Sequence, residues 1–363
     1  MVEYIHNQLL SKEGYGNPGS LHRLGRLAEK MQTNALERIC DILDCGTKEF
    51  FFTSCGTESI NTVLRGYPAA NPRAGRHMIT TRTEHKASLE VLQDLEKEGF
   101  EISWLPVDGS GEVDILELES MIRPDTALIT LTYVNSETGS IQPLQKIVSV
   151  KNKINPAVKI HLDCVQALGK IPLKLRESGI DFASFSGHKI HCVKGIGGLY
   201  IRKGCRLKPL LFGGGQQNGI RSGTQSPYLY GAFALALEIM ERVRTEAFNQ
   251  VTDLRSELLS GLDSFNIQIN SPEKALPYIV NLSFPDFQSE TMLHALGEYE
   301  IYVSTVSACS SRKQKISYVL TEMGIPRDIA SRAIRISFSP FSKREEVVFF
   351  CEKVSEIYRK FHL

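Results

Sequence analysis

From about residue 49 to residue 202, seven short β-rich runs alternate with longer helical patterns, and this alternation limits the fold more than any other feature of the chain. The runs are Phe51-Phe52-Thr53, His77-Met78-Ile79-Thr80, Ile102-Ser103-Trp104-Leu105, Ala127-Leu128-Ile129-Thr130-Leu131, Ile160-His161-Leu162, Phe182-Ala183-Ser184-Phe185 and Gly198-Leu199-Tyr200-Ile201. Strands joined by crossover helices form a mainly parallel seven-stranded sheet covered on both faces. The intervening helices carry stop signals: Ser88 to Lys97 ends before Gly99, and Ile115 to Ile122 ends before Pro124. After Gly213-Gly214-Gly215, residues 229 to 262 read as one long helix, and the remainder mixes helices with the strands 279–283 and 333–337. The expected organisation is a large α/β domain over 15–240 and a smaller α+β domain made of 1–14 and 241–363.

Composition narrows the partners. Lysine and arginine number 42 against 41 acidic residues, so no electrostatic excess favours nucleic acid or an anionic membrane. No apolar run approaches the roughly 20 residues a bilayer requires, and the opening Met1-Val2-Glu3-Tyr4-Ile5-His6 lacks a basic segment leading into a hydrophobic one. A cytoplasmic protein acting on a small molecule or a protein partner is expected. The eight cysteines show no CxxC pair, so neither a metal site nor a disulfide framework is indicated. Most are expected to be small buried residues.

In an open α/β sheet, ligands gather at the carboxyl ends of the strands, and here those ends hold the chemically distinctive residues. The first strand runs into Thr53-Ser54-Cys55-Gly56-Thr57-Glu58, a small-residue turn that opens a helix and offers free N–H groups and a hydroxyl to a phosphate, or serves as an ordinary helix start. Thr83-Glu84-His85, Asn135-Ser136-Glu137-Thr138-Gly139, Asp163-Cys164-Val165-Gln166 and Ser186-Gly187-His188-Lys189 follow later strands. Any one of these could be a capped loop; five at matching strand ends point to a site. Lys189, just after a buried strand, is placed to be desolvated, which favours the neutral amine and Schiff-base formation; the alternative is a surface lysine at a loop edge. Asp163 ends an apolar strand, where a carboxylate needs a cationic partner, and a protonated pyridine nitrogen is such a partner. Arg335, on a strand of the smaller domain, reads equally as a clamp for an amino-acid carboxylate or as a surface ion pair.

These motifs resemble, in collinear order and over nearly the whole chain, the NifS/IscS-type cysteine desulfurases, which are pyridoxal 5'-phosphate (PLP) enzymes of fold type I, class-V aminotransferase-like. The resemblance runs from Gly16-Asn17-Pro18-Gly19-Ser20-Leu21-His22 to Ile334-Arg335-Ile336-Ser337-Phe338. It implies that Lys189 carries the cofactor, Asp163 partners the ring nitrogen, Gln166 meets the phenolic oxygen, and His85 stacks on the ring and moves protons. It further implies that Thr57, Ser186 and His188 hold the phosphate, and that Asn135, Ser136 and Arg335 bind substrate. The segment Gly213 to Thr224 is similar to a family motif whose threonine reaches the phosphate of a neighbouring subunit, so Thr224 implies a homodimer with shared sites.

The segment Val303-Ser304-Thr305-Val306-Ser307-Ala308-Cys309-Ser310-Ser311, with Ser317-Tyr318-Val319-Leu320 beyond it, is similar to the long catalytic loop of these enzymes, here near 303–316. A cysteine among serines and close to Arg312 and Lys313 forms thiolate more readily than one among apolar neighbours, and a long loop lets it travel. The implied reaction takes sulfur from L-cysteine onto Cys309 as a persulfide, leaves L-alanine, and passes the sulfur to an acceptor protein, an iron–sulfur scaffold or a thiolation relay. Selenocysteine lyase, another PLP-dependent C–S lyase, and a non-catalytic scaffolding relative are the alternatives. Four departures accompany the resemblance. The chain begins just after the point where the family's opening strand and Ala-Thr-Thr turn would lie. Ser136 stands where the family has a second asparagine, Cys55 replaces a glycine, and Cys192-Val193 replaces Gly-Pro.

Overall fold

The structure is a computed structural model that describes residues 1–305 and 316–361. The chain divides into two compact units. Unit 1 comprises Met1–Leu105, Ile115–Tyr133 and Pro143–Arg242; unit 2 comprises Pro106–Asp114, Val134–Gln142 and Val243–Leu363.

Unit 1 contains helices α1 (Val2–Leu10), α2 (Lys12–Tyr15), α3 (Arg23–Leu43), α4 (Gly56–Ala70), α5 (Lys86–Lys97), α6 (Ile115–Met121) and α7 (Leu144–Ile154). Its strands are β1 (Phe50–Thr53), β2 (His77–Thr81), β3 (Glu101–Leu105), β4 (Thr126–Thr132), β5 (Lys159–Asp163), β6 (Phe182–Ser186) and β7 (Gly197–Ile201). They form one sheet in the order β1-β7-β6-β5-β4-β2-β3. The sheet is parallel except for β7, which runs antiparallel to both β1 and β6. The expected seven strands are all present, each within a residue or two of its sequence-derived bounds.

Residue spacing explains how both faces are covered. In α4, Ile60, Val63, Leu64 and Tyr67 follow the i, i+3, i+4, i+7 pattern, as do Ser88, Val91, Leu92 and Leu95 in α5. The apolar members of both sets pack with Phe51, Met78, Leu128, Phe182 and Leu199 in one core. Phe50 and Phe52 alternate with Phe51 and point to the opposite face. There Phe52 stacks on Tyr230, and Phe50 and Phe52 both lie near Phe233; Tyr230 and Phe233 are on the long helix α8 (Pro227–Gly261), which begins in unit 1 and continues into unit 2.

The first 14 residues belong to unit 1, not to the smaller unit as the sequence reading expected. The Tyr4 hydroxyl lies so close to Gly231 of α8 that a Cβ there would sit 2.0 Å away, so glycine lets the Tyr4 side chain of α1 lie directly on α8. The segments 106–114 and 134–142, expected in the large domain, fall in unit 2, where they form small antiparallel bridges, Val107 with Val113 and Val134 with Ile141.

Unit 2 holds β8 (Gln268–Ile269), β9 (Ile279–Ser283), α9 (Ser289–Gly297), β10 (Ser304–Thr305), α10 (Tyr318–Glu322), α11 (Arg327–Ala330), β11 (Ala333–Ser337) and α12 (Arg344–Lys360). The strands form an antiparallel sheet in the order β10-β11-β9-β8. Val280, Leu282 and Ile334 pack against Met292 and Leu296 of α9 and Val347, Phe350, Val354 and Ile357 of α12. The period of two along a strand therefore turns Arg335 and its cross-strand neighbour Asn281 to the face away from these helices. Among the described residues, no helix is long and apolar enough to cross a membrane.

Candidate active site

Because β7 is antiparallel to both β1 and β6, β1 runs in the same direction as β6. The carboxyl ends of β1, β2, β4, β5 and β6 thus share one edge of the unit 1 sheet, and Thr57, His85, Asp163, Gln166, Ser186, His188 and Lys189 all follow from it.

Asp163 is the last residue of β5 and only 5 % exposed. Its Oδ1 accepts the Val165 N–H at 2.9 Å. Burial raises its carboxyl above the ordinary range, while that backbone bond and the charges of His85 and Lys189 oppose the rise. A desolvated carboxylate in this position is stabilised by a cation brought to it. His85 caps α5: its Nδ1 accepts the Ala87 N–H at 3.0 Å. Nδ1 therefore carries a lone pair and the neutral ring has its proton on Nε2. The ring is exposed.

The N-terminus of α4 meets the same edge. A Cβ on Gly56 would lie 2.8 Å from Val165 Cγ2 and 3.5 Å from Ser186 Cβ, so glycine allows the first turn of α4 to pack directly on the β5 and β6 loops. The N-cap residue, Cys55, provides no side-chain cap. The leading N–H groups and the exposed Thr57 hydroxyl remain available to an anion, which the helix dipole favours. Ser186 Oγ and His188 Nδ1 are 2.9 Å apart. Burial, with the charges of Lys189, Lys194 and Lys170, holds His188 below the ordinary histidine range.

Sequence alone assigned no individual role to several residues here. Glu84 is 2 % exposed, and its carboxyl accepts the Thr132 N–H at 2.8 Å, the Thr132 hydroxyl at 2.8 Å and the Thr81 hydroxyl at 3.1 Å. Burial pushes it up to about 8, with Asp163 adding to the rise. The loop before Thr224 is latched to β1 and α4. Gln217 exchanges two hydrogen bonds with the Phe52 main chain, at 2.6 and 2.7 Å, and Arg221 donates to Glu58 at 2.9 Å. Hydrogen bonds from Arg221 and Ser54 overcome burial and hold Glu58 below the usual carboxylate range. Thr224 itself is exposed, and no hydrogen bond joins it to Thr57, Ser186 or His188 among the described residues.

Asn135, Ser136 and Arg335, the residues expected to bind substrate, belong to unit 2. Asn135 Oδ1 accepts the Glu137 and Thr138 N–H groups at 2.8 and 3.1 Å, which shapes the turn. Arg335 donates Nη1 to the Ser136 carbonyl and Nη2 to Ser304 Oγ, each at 3.0 Å. The Ser136 contact uses the main chain and does not depend on which side chain stands there. Arg335 Nε is buried without a partner among the described residues, an N–H that a carboxylate oxygen would satisfy. Glu137, to which sequence alone assigned no role of its own, accepts the Ser317 hydroxyl at 2.6 Å. Cys309 lies outside the described residues. Cys192 is 8 % exposed, and burial pushes its thiol up to about 11. Cys40, Cys45 and Cys164 are likewise buried. Among the described residues, no three His, Cys, Asp or Glu side chains are grouped to hold a metal ion.

An uncapped helix N-terminus, a desolvated carboxylate and a lysine at the same sheet edge together define a site for a phosphorylated, ring-nitrogen cofactor that bonds to an amine. PLP fits all three. The class-V aminotransferase family matches residues 5–350. A cysteine desulfurase of Trichormus variabilis is 39% identical over 92% of this chain and 84% of its own length. A NifS-like protein of known structure superposes with a TM-score of 0.93 at 40% identity, covering 99% of this chain and 95% of its own. SspA, solved in complex with cysteine, gives a TM-score of 0.81 at 30% identity, covering 94% and 95%. The chain belongs to the class-V aminotransferases and, within them, to the PLP-dependent cysteine desulfurases.

Glu84 carries a pH signature. Its folded carboxyl titrates near pH 8, against about 4.3 unfolded, so the folded chain retains a proton that the unfolded chain releases. The resulting stability is full below the unfolded value and is lost as pH rises through 8. Glu84→Gln preserves the protonated shape, so melting temperatures taken from pH 6 to pH 9 should fall less in the variant than in the parent. Parallel pH profiles would contradict a protonated Glu84.

Proposed function

We propose that this chain converts L-cysteine to L-alanine and holds the released sulfur as a persulfide on Cys309. In this reading Lys189 anchors the cofactor, Asp163 keeps its ring nitrogen protonated, Gln166 donates to its phenolic oxygen, His85 covers the ring, and Thr57, Ser186 and His188 hold the phosphate. Bound there, PLP supplies an electron sink for negative charge at the substrate Cα.

The observation that carries the substrate assignment is the buried Nε of Arg335, left without a partner among the described residues, an N–H that an amino-acid carboxylate would satisfy. Asn135 and Ser136 shape the turn whose carbonyl holds that guanidinium in place. Lys189, or His85 with its lone pair rearranged, removes the Cα proton. The Cys309 thiolate then attacks the substrate sulfur: the Cβ–S bond breaks with its electron pair left on carbon, an S–S bond forms, and protons are delivered to Cβ and back to Cα to give alanine. The persulfide passes to a thiol of an acceptor protein, an iron–sulfur scaffold or a thiolation relay. Thiol chemistry of this kind calls for a reducing compartment such as the cytoplasm.

The reading includes a homodimer. Leu210, Leu211 and Phe212, at 38%, 42% and 73% exposure, immediately precede the Gly213 loop, and α1 exposes Val2 and Leu10. Apolar surface of this kind is suited to a second copy, as is a Thr224 that makes no bond to the phosphate residues of its own chain.

Two experiments test these statements. Incubated with L-cysteine and a reductant, the purified protein should release alanine and sulfide in equal amounts, whereas Cys309→Ser should keep its yellow colour and lose sulfur transfer. Full sulfide production by Cys309→Ser, or a preference for L-selenocysteine with little turnover of L-cysteine, would overturn the assignment. For the shared site, mixed dimers of Thr224→Val and Lys189→Ala chains should hold one cofactor as tightly as the parent does, because one site then combines an intact Lys189 with an intact Thr224. Retention no better than that of Thr224→Val alone would place Thr224 in its own chain's site.

A further inference from the structure

Lysine is rarely buried unless its ammonium finds acceptors, yet Lys170 is only 7 % exposed. It lies on the loop after β5, four residues beyond Gln166, and its Nζ donates to Gln166 Oε1 at 3.0 Å. An ammonium has three donors and no acceptor, so the amide oxygen must be the atom that faces it. The reverse orientation would set an NH2 group against an NH3⁺. Lys170 thereby fixes which way the Gln166 amide points.

The consequence falls on the other amide atom. Gln166 Nε2 makes no hydrogen bond among the described residues, although the side chain is 92 % buried by the complement of its 8 % exposure. Gln166 also stands three residues from Asp163, whose carboxylate is fixed by the Val165 N–H. One short turn thus carries an oriented acceptor and an oriented donor side by side. The charge of Lys170 extends further, since it helps hold both His188 and His191 below their ordinary range.

We propose that Lys170 is a positioning residue for the cofactor: by gripping the oxygen of Gln166 it commits Nε2 to donate to the cofactor's phenolic oxygen, which favours the anionic form of that oxygen and sets the colour and retention of the bound cofactor. This rests on the placement of Gln166 at the phenolic oxygen given above. The hydrogen bond from Lys170 does its work through Gln166, which separates this role from a general effect of positive charge.

The test uses PLP-loaded protein and reads the visible absorbance maximum and the rate of cofactor release at fixed pH. Lys170→Met should shift the band in the same direction as Gln166→Ala and speed release by roughly three- to tenfold, the worth of one hydrogen bond. The double variant should match Gln166→Ala alone, because a residue acting only through Gln166 has nothing left to orient. Lys170→Arg, which keeps donors and adds no acceptor, should stay near the parent. If the single effects add in the double variant, the inference is overturned and Lys170 acts independently of Gln166. If Lys170→Met does not fold, Lys170→Gln takes its place: its amide offers a donor or an acceptor and no longer fixes Gln166, so the band should move towards that of Gln166→Ala, and an unmoved band would overturn the inference. A Gln166→Ala protein with an unmoved band would instead sink the placement of Gln166, a distinct failure.

Discussion

A carboxyl group buried at the end of a central strand, whose charged form needs a cation beside it, is the constraint on which unit 1 turns. Asp163 closes the buried strand β5, between β4 and β6. Its main chain is locked on both sides, with its carbonyl accepting the Tyr133 N–H at 3.0 Å and the next amide, of Cys164, donating to the Ser184 carbonyl at 3.0 Å. With the backbone fixed, the carboxylate cannot move out to water, and a cation must come to it. Glu84, a second buried acid near by, is pushed towards its neutral form, so the site does not hold two uncompensated negative charges.

The departures from the family pattern become intelligible on the same physical terms. Ser136 serves Arg335 through its carbonyl, so the loss of an asparagine side chain leaves that contact intact. Cys55 sits at a helix start whose use to a phosphate comes from backbone N–H groups and not from the side chain. Cys192 is packed away with its thiol disfavoured as a thiolate, so it fills space instead of competing with Cys309 as a nucleophile.

Much of the fold was legible because local rules and the tertiary structure agree. The seven runs of β-branched and aromatic residues became strands, and the i, i+3, i+4, i+7 stripes of α4 and α5 became the helices that cover one face. The residues proposed for the cofactor stand out in sequence because they fall at strand ends. Long-range relations were not. Nothing local in Gly198-Leu199-Tyr200-Ile201 marks β7 as the strand inserted antiparallel between β1 and β6. The contact of α1 with unit 1 includes the Tyr4 side chain against Gly231, more than 200 residues away. Lys170 and Glu84 are buried in the structure, which nothing local in the sequence marks. Their roles follow from partners that spacing alone does not reveal.

The central claim, that Asp163 is held for the protonated ring nitrogen of PLP, is tested most directly by titrating the apoprotein with PLP and with an analogue whose ring nitrogen is replaced by carbon. The parent protein should prefer PLP by at least about tenfold, the scale expected when a buried charge loses its partner, and Asp163→Ala should abolish the preference. Equal affinity of the parent for both ligands would show that the buried carboxylate serves some other purpose.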